Sequence, residues 1–195
     1  MTELVLVRHG ETDWNRERRF QGHADQPLND TGREQARLLA RTLDGERIDA
    51  VYTSDLSRAR ETAEILAAEL DTEVVALREL REIDVGEWQG LTWPEIEDRF
   101  PEGVVAWRER GYGWEQGETY EHLGERVVAT LTRIAARHPA QRVLVVGHGG
   151  TVRVTRAHAA GVTVVESRKA SPSVENCEIF RVLVRDGRFT TGAAN

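Results

Sequence analysis

The sequence predicts a layered α/β fold: a three-layer sandwich with a mostly parallel central sheet flanked by helices. Three observations predict it. Short apolar runs, at residues 4–7, 48–53, 74–77 and 143–146, alternate with segments of helical apolar period. The runs at 4–7 and 143–146 are continuous, as in strands buried on both faces. Both end abruptly at a histidine among glycines, Arg8-His9-Gly10 and Gly147-His148-Gly149-Gly150. Parallel strands joined by helical crossovers bring their carboxyl ends to one edge, where ligands bind in open α/β sheets.

The elements follow in order. Leu4-Val5-Leu6-Val7 is the first strand, and Gly10 lets the backbone turn tightly or approach a ligand closely. Residues 15–29 are polar and irregular, with Gly22 and Pro27, and read as a loop near that strand's end. Thr31-Gly32 opens a helix whose Ala36, Leu39, Ala40 and Leu43 share one face, with Gly45 as its stop. After the second strand, Ser54-Asp55 is a helix-start signal. The helix that follows buries Leu56, Ala59, Ala63, Leu66, Ala67 and Leu70, and carries Arg58 in its first turn, where the dipole favours an anion.

Beyond the third strand, residues 84–118 hold four tryptophans, Trp88, Trp93, Trp107 and Trp114, between short helical pieces. This reads as a lid-like helical insertion, the kind of segment that covers a site. Thr119 caps a long helix with Tyr120, Leu123, Val127, Leu131 and Ile134 facing inward. A helix runs from the His148 segment to about residue 160. Residues 176–185 alternate as a strand, and Asp186-Gly187 predicts a hairpin to a short strand at 189–191.

With 195 residues, one domain spanning 1–195 is expected. No apolar run approaches the roughly 20 residues of a membrane span. The stretch after Met1 is too short, and lacks the basic lead-in, for a signal peptide. The single cysteine, Cys177, points to a reducing, cytoplasmic setting. A net charge of -7 argues against general nucleic-acid binding.

Arg8, His9, Arg58 and His148, with Glu82 from the segment after the third strand, make a cationic pocket with one carboxylate. A phosphoryl dianion is its natural guest, since arginine forks match the oxygens and transfer depends on positioning and charge stabilisation. No metal or other cofactor is expected: the histidines are isolated and lack metal-ligand spacing.

The peptides Leu6-Val7-Arg8-His9-Gly10-Glu11-Thr12, Ser54-Asp55-Leu56-Ser57-Arg58-Ala59-Arg60-Glu61-Thr62-Ala63, Glu82 before Gly86-Glu87-Trp88-Gln89-Gly90, and Gly147-His148-Gly149-Gly150 resemble the histidine phosphatase superfamily, also called phosphoglycerate mutase-like. The resemblance runs nearly end to end. It implies that His9 forms a phosphohistidine, that Arg8, Arg58 and His148 hold the phosphoryl oxygens, and that Glu82 is the general acid and then the base. It also implies substrate contacts from Asn15, Gln21, Gly22 and Gly149, with Glu11 in support. A small phosphorylated metabolite is then the substrate and inorganic phosphate the product, and a homodimer is compatible with the family.

The superfamily divides into phosphatases and mutases. Cofactor-dependent mutases carry Glu-Arg-His-Tyr-Gly around the acid and a longer insertion, whereas this chain has Arg81-Glu82-Ile83-Asp84-Val85-Gly86. It therefore resembles the small phosphatases. The alternatives are a phosphoglycerate mutase and a non-catalytic phosphate-binding module, although the latter would normally lack the nucleophile or the acid. For the substrate, Trp93, Trp107, Tyr112 and Trp114 are candidates for an apolar or sugar-binding wall, and Arg99, Arg108 and Arg110 for a carboxylate site. Each has packing or solvated charge as its plainer reading. His23, His122, His138 and His158 read as surface or packing residues.

Overall fold

The computed structural model describes residues 1–171 and 173–191. Residues 192–195 of the expected domain lie outside it, as does Pro172. The chain runs β1 (Thr2–Arg8), α1 (Asp13–Arg16), α2 (Asp30–Thr42), β2 (Ala50–Ser54), α3 (Ser57–Leu70) and β3 (Val74–Leu77). Two 3-10 turns and the short helices α4 (Trp93–Arg99) and α5 (Pro101–Arg110) follow. Then come α6 (Tyr120–Arg137), β4 (Arg142–Gly147), α7 (Gly149–Ala160), α8 (Val164–Ala170), β5 (Ile179–Arg185) and β6 (Arg188–Thr191).

The strands form one sheet in the order β3-β2-β4-β1-β5-β6. β1 and β4 are its two central strands and pair in parallel, from Glu3 opposite Arg142 to Arg8 opposite Gly147. β5 pairs antiparallel with β1, and β6 with β5 through the expected hairpin. Successive residues of the central strands enter opposite cores. Leu4, Leu6, Val143 and Val145 pack with α6, α7 and the tryptophan-rich segment. Val5, Val7, Leu144 and Val146 pack with α2 and α3. This two-sided burial is why the strand sequences are apolar without alternation.

Helix starts differ from the sequence expectation where the cap comes from elsewhere. α2 begins at Asp30 because the Asn29 side chain accepts from Gly32 N. α3 begins at Ser57, later than Ser54-Asp55 implied. Asp55 instead makes a bidentate pair with Arg81, and Ser57 N donates to Asp25 from the preceding loop. The expected loop at 15–29 is entered through the helical turn α1, closed by a reciprocal Thr12–Asn15 capping box. α8 has a capping box of its own, Thr163 with Glu166.

The tryptophan-rich segment shares the main core. Trp88 is fully buried and meets Trp114 edge-on at 5.4 Å between ring centroids. Trp93 packs on Trp88 and Trp107. Among the described residues no helix is long and apolar enough to cross a membrane.

The turn after β1 is fixed by backbone contact. A Cβ at Gly10 would lie 2.4 Å from the Gly32 carbonyl oxygen, and one at Gly32 would lie 2.1 Å from that of Glu11. The closeness serves helix α2 rather than a ligand. Alanine is normally the better helix residue by about 1 kcal/mol. At Gly32 the clash reverses that sign, and Gly32→Ala is expected to destabilise by about 1–3 kcal/mol. Gly124→Ala in α6, where nothing lies within 4 Å, is expected to stabilise. Urea unfolding midpoints of the two variants check the pair.

Candidate active site

The β1–β4 register carries Arg8 and His9 to the same edge as His148. His9 N donates to the Gly147 carbonyl at 3.0 Å, so the two strand ends are tied directly. The imidazoles lie 5.3 Å apart between centroids, inclined by 65°. His9 is 2% exposed and held from both sides. Its Nδ1 is 2.7 Å from the Gly10 carbonyl oxygen, which can only accept. Its Nε2 is 3.2 Å from Arg58 Nε, which can only donate. One protonation state satisfies both: neutral, with the proton on Nδ1 and the lone pair on Nε2. Burial, with Arg58 and Arg8 nearby, holds the imidazole well below its ordinary pKa. His148 is likewise depressed by burial and by Arg58, and both its ring nitrogens are buried without a partner among the described residues.

Arg58 is fully buried in the first turn of α3. Its Nη1 donates to Ala24 O at 2.7 Å and its Nη2 to Gly22 O at 2.9 Å. The polar loop thus supplies the acceptors that make a buried guanidinium tolerable. Burial lowers its pKa to about 10, which leaves it cationic at neutral pH. Arg8 donates to the Val174 carbonyl, while its Nε is buried with no partner among the described residues. Among the described residues, two histidine nitrogens and one arginine donor are therefore buried without a partner. Such groups are costly unless a ligand completes them.

Glu82 reaches the same place. Its Oε1 accepts from Gly150 N at 3.0 Å and Ile83 N at 2.9 Å, so the carboxylate sits on the first turn of α7. A Cβ at position 150 would lie 2.1 Å from Glu82 Oε1, so a larger residue there would displace the carboxylate. The backbone behind the carboxylate is clamped. Arg126 of α6 donates to the carbonyls of Glu79, Arg81 and Glu82 while making a two-point pair with Glu118. His23 Nε2 lies 2.9 Å from the Glu82 carbonyl. His23 is partly exposed, and this contact ties the loop to the Glu82 segment. His138 bonds Tyr52 and His158 packs on Phe189, as expected of packing residues, and His122 is exposed.

A cavity of about 580 Å³ opens over these groups. Arg8, His9, Asn15, Gln21, Gly22, Arg58, Glu82 and Gly149 all line it; His148 does not, its ring lying fully buried 5.3 Å from that of His9 between centroids. Asn15 Oδ1 is occupied by Thr12 and Asn176, and Gln21 Oε1 is buried without a partner. Glu11 holds Asn29, the cap of α2, through Oε1. Thr119 caps α6.

The wall residues differ in part from those the sequence offered. Trp107 and Trp114 line the cavity; Trp93 and Tyr112 do not. Trp93 instead packs on Phe20, Trp88 and Trp107. Arg99, Arg108 and Arg110 are absent from the lining, and the cations found there are Arg19, Arg153, Arg168 and Lys169. Asn176, also missed, donates to the His9 carbonyl at 2.9 Å. No sequence motif marks these residues. Among the described residues no group of three or more His, Cys, Asp or Glu is placed to hold a metal ion.

The buried histidines give stability a pH dependence. Their folded-state pKa values are depressed, so below about pH 6.5 the unfolded chain binds protons that the folded one refuses. Stability is expected to fall as pH drops from 6.5 towards 5, by up to about 1.4 kcal/mol per pH unit for each histidine. Urea melts of the ligand-free protein over this range check the slope, which a His9→Gln/His148→Gln double variant should flatten.

A model of the histidine phosphatase superfamily (branch 1) matches residues 4–195. Phosphoglycerate mutase-like protein 4 of Arabidopsis thaliana is 44% identical over 156 residues, 77% of this chain and 68% of that protein. A metal-independent phosphoserine phosphatase of the same plant is 41% identical over 171 residues, 83% of this chain and 72% of that protein. The solved structure of a mycobacterial glucosyl-3-phosphoglycerate phosphatase with VO3 superposes with a TM-score of 0.88 at 29% identity, covering 99% of this chain and 98% of that one. With the fold, the strand-end histidines and these likenesses in agreement, the chain belongs to branch 1 of the histidine phosphatase superfamily.

Proposed function

We propose that this protein hydrolyses phosphomonoesters of small metabolites through a phosphohistidine at His9. The observation that carries the reading is the His9 Nε2 lone pair, held in a cavity lined by Arg8, Arg58 and Glu82, with the His148 ring 5.3 Å from that of His9 between centroids. Nε2 attacks phosphorus and the ester P–O bond breaks. Glu82, entering this step protonated, gives its proton to the leaving oxygen. Its carboxylate then takes a proton from water, which attacks phosphorus and breaks the P–N bond. Inorganic phosphate leaves and Nε2 is restored. Arg58 passes its Nε donor from His9 to a phosphoryl oxygen as Nε2 commits to phosphorus, while Arg8 and His148 stabilise the equatorial oxygens.

Segment 84–118 serves in this reading as the cover that limits water around the phosphoenzyme, supported by Trp107 and Trp114 on the cavity wall. A reducing, cytoplasmic workplace rests on the single cysteine.

Phosphate release from p-nitrophenyl phosphate and 3-phosphoglycerate in EDTA tests the reading. Full activity with chelator is expected, none in His9→Ala, and a kcat lowered about 10²–10⁴-fold in Glu82→Gln for poor leaving groups. Loss of activity on chelation, or survival of activity in His9→Ala, would overturn the mechanism. Interconversion of phosphoglycerate isomers, stimulated by bisphosphoglycerate and without free phosphate, would establish the mutase instead.

A further inference from the structure

We propose that Gln35 of α2 is a positioning residue for the nucleophile, acting through the Gly10–Glu11 peptide that holds the His9 Nδ1 proton. The inference rests on the phosphatase reading above. It adds to that reading a side chain from a helix that, among the described residues, contributes nothing to the cavity lining.

One peptide unit lies between the two side chains. Its carbonyl, that of Gly10, is 2.7 Å from His9 Nδ1. Its N–H, that of Glu11, donates to Gln35 Oε1 at 2.8 Å. A backbone N–H can only donate, so the Gln35 amide presents its oxygen there. A chain of hydrogen bonds therefore runs from His9 Nδ1–H to the Gly10 carbonyl, across the peptide, and from Glu11 N–H to Gln35. An acceptor on the N–H side of a peptide leaves its carbonyl oxygen more negative, and so a stronger acceptor itself.

The backbone around this peptide is fixed as well. Glu11 O accepts from Asn29 N at 3.0 Å, and Gly10 N donates to Thr62 Oγ1 at 3.1 Å. Thr62 is fully buried, and its hydroxyl proton goes to the Arg58 carbonyl at 2.7 Å, which leaves a lone pair for Gly10. Gly32 brings the first turn of α2 against Glu11, and Gln35, three residues on, shares that helix face. The four polar backbone groups of Gly10 and Glu11 thus all have partners. Gln35 is half-buried, and its oxygen is committed to the peptide that His9 uses.

The consequence falls on the phosphorylation step. As Nε2 bonds to phosphorus and the ester P–O bond breaks, the imidazole keeps its Nδ1 proton and takes on positive charge. The Gly10 carbonyl meets that charge, and Gln35 keeps the carbonyl aimed and polarised. When water breaks the P–N bond, the ring returns to its neutral form. An interaction that strengthens as charge develops raises the rate rather than substrate binding.

Two variants test this. Gln35→Met has similar length without the acceptor, and Gln35→Glu keeps an acceptor oxygen. In ¹H–¹⁵N spectra of the ligand-free protein, the His9 Nδ1–H proton resonance is expected to move upfield in Gln35→Met and not in Gln35→Glu. With p-nitrophenyl phosphate, kcat/KM is expected to fall about 2–10-fold in Gln35→Met, the worth of one hydrogen bond, with the inhibition constant of inorganic phosphate unchanged. Gln35→Glu is expected to stay within about twofold of the unaltered protein. A resonance unmoved in Gln35→Met, or kcat/KM lowered equally by both variants, would overturn the role of Gln35 and leave the phosphatase reading standing. Absence of His9-dependent hydrolysis in the unaltered protein would overturn both.

Discussion

The site depends on a single imidazole caught between two partners of fixed polarity. The Gly10 carbonyl can only accept and Arg58 Nε can only donate, so His9 is confined to one neutral tautomer with Nε2 bare. A cationic imidazole would set its Nε2–H against the Arg58 Nε–H, 3.2 Å away between nitrogens. The cost of removing the ring and three cationic or polar neighbours from solvent is borne by the sheet. β1 and β4 bury both faces and hold His9 and His148 at adjacent strand ends with little freedom to relax.

The same economy extends outward. Arg58 is held by two loop carbonyls, and the loop that supplies them is fastened by His23 to the backbone of Glu82. Arg126 fixes that backbone from α6 through three carbonyls. Nucleophile, cation and acid are thus positioned by groups that touch each other, although they come from separate stretches of chain. Among the described residues, Arg8 Nε and both His148 nitrogens are left without a partner in this network.

The parts of this legible in the sequence are those with a local signature. Continuous apolar runs marked β1 and β4 because both faces are buried, and glycines beside His9 and His148 marked strand ends brought to a common edge. Arg58 and Glu82 were legible through their surrounding peptides. What could not be read depends on tertiary placement. Arg153, Arg168 and Lys169 look like ordinary helix-surface charges until α7 and α8 turn them to the cavity, whereas Arg99, Arg108 and Arg110, nearer the expected cover, stay outside its lining. His23 and Arg126 act on carbonyls, and no side-chain pattern announces a carbonyl partner. The Thr163–Glu166 box that starts α8 was a local signal available in the sequence.

The protonation state of His9 is the point on which the whole account turns. Side-chain ¹⁵N NMR of the ligand-free protein, followed from about pH 8 to about pH 5 across the ordinary imidazole titration range, reads it directly. The account predicts a His9 that stays neutral throughout, protonated at Nδ1 and bare at Nε2. A His9 that takes up its second proton near the ordinary imidazole value, or that carries its proton on Nε2, would contradict it.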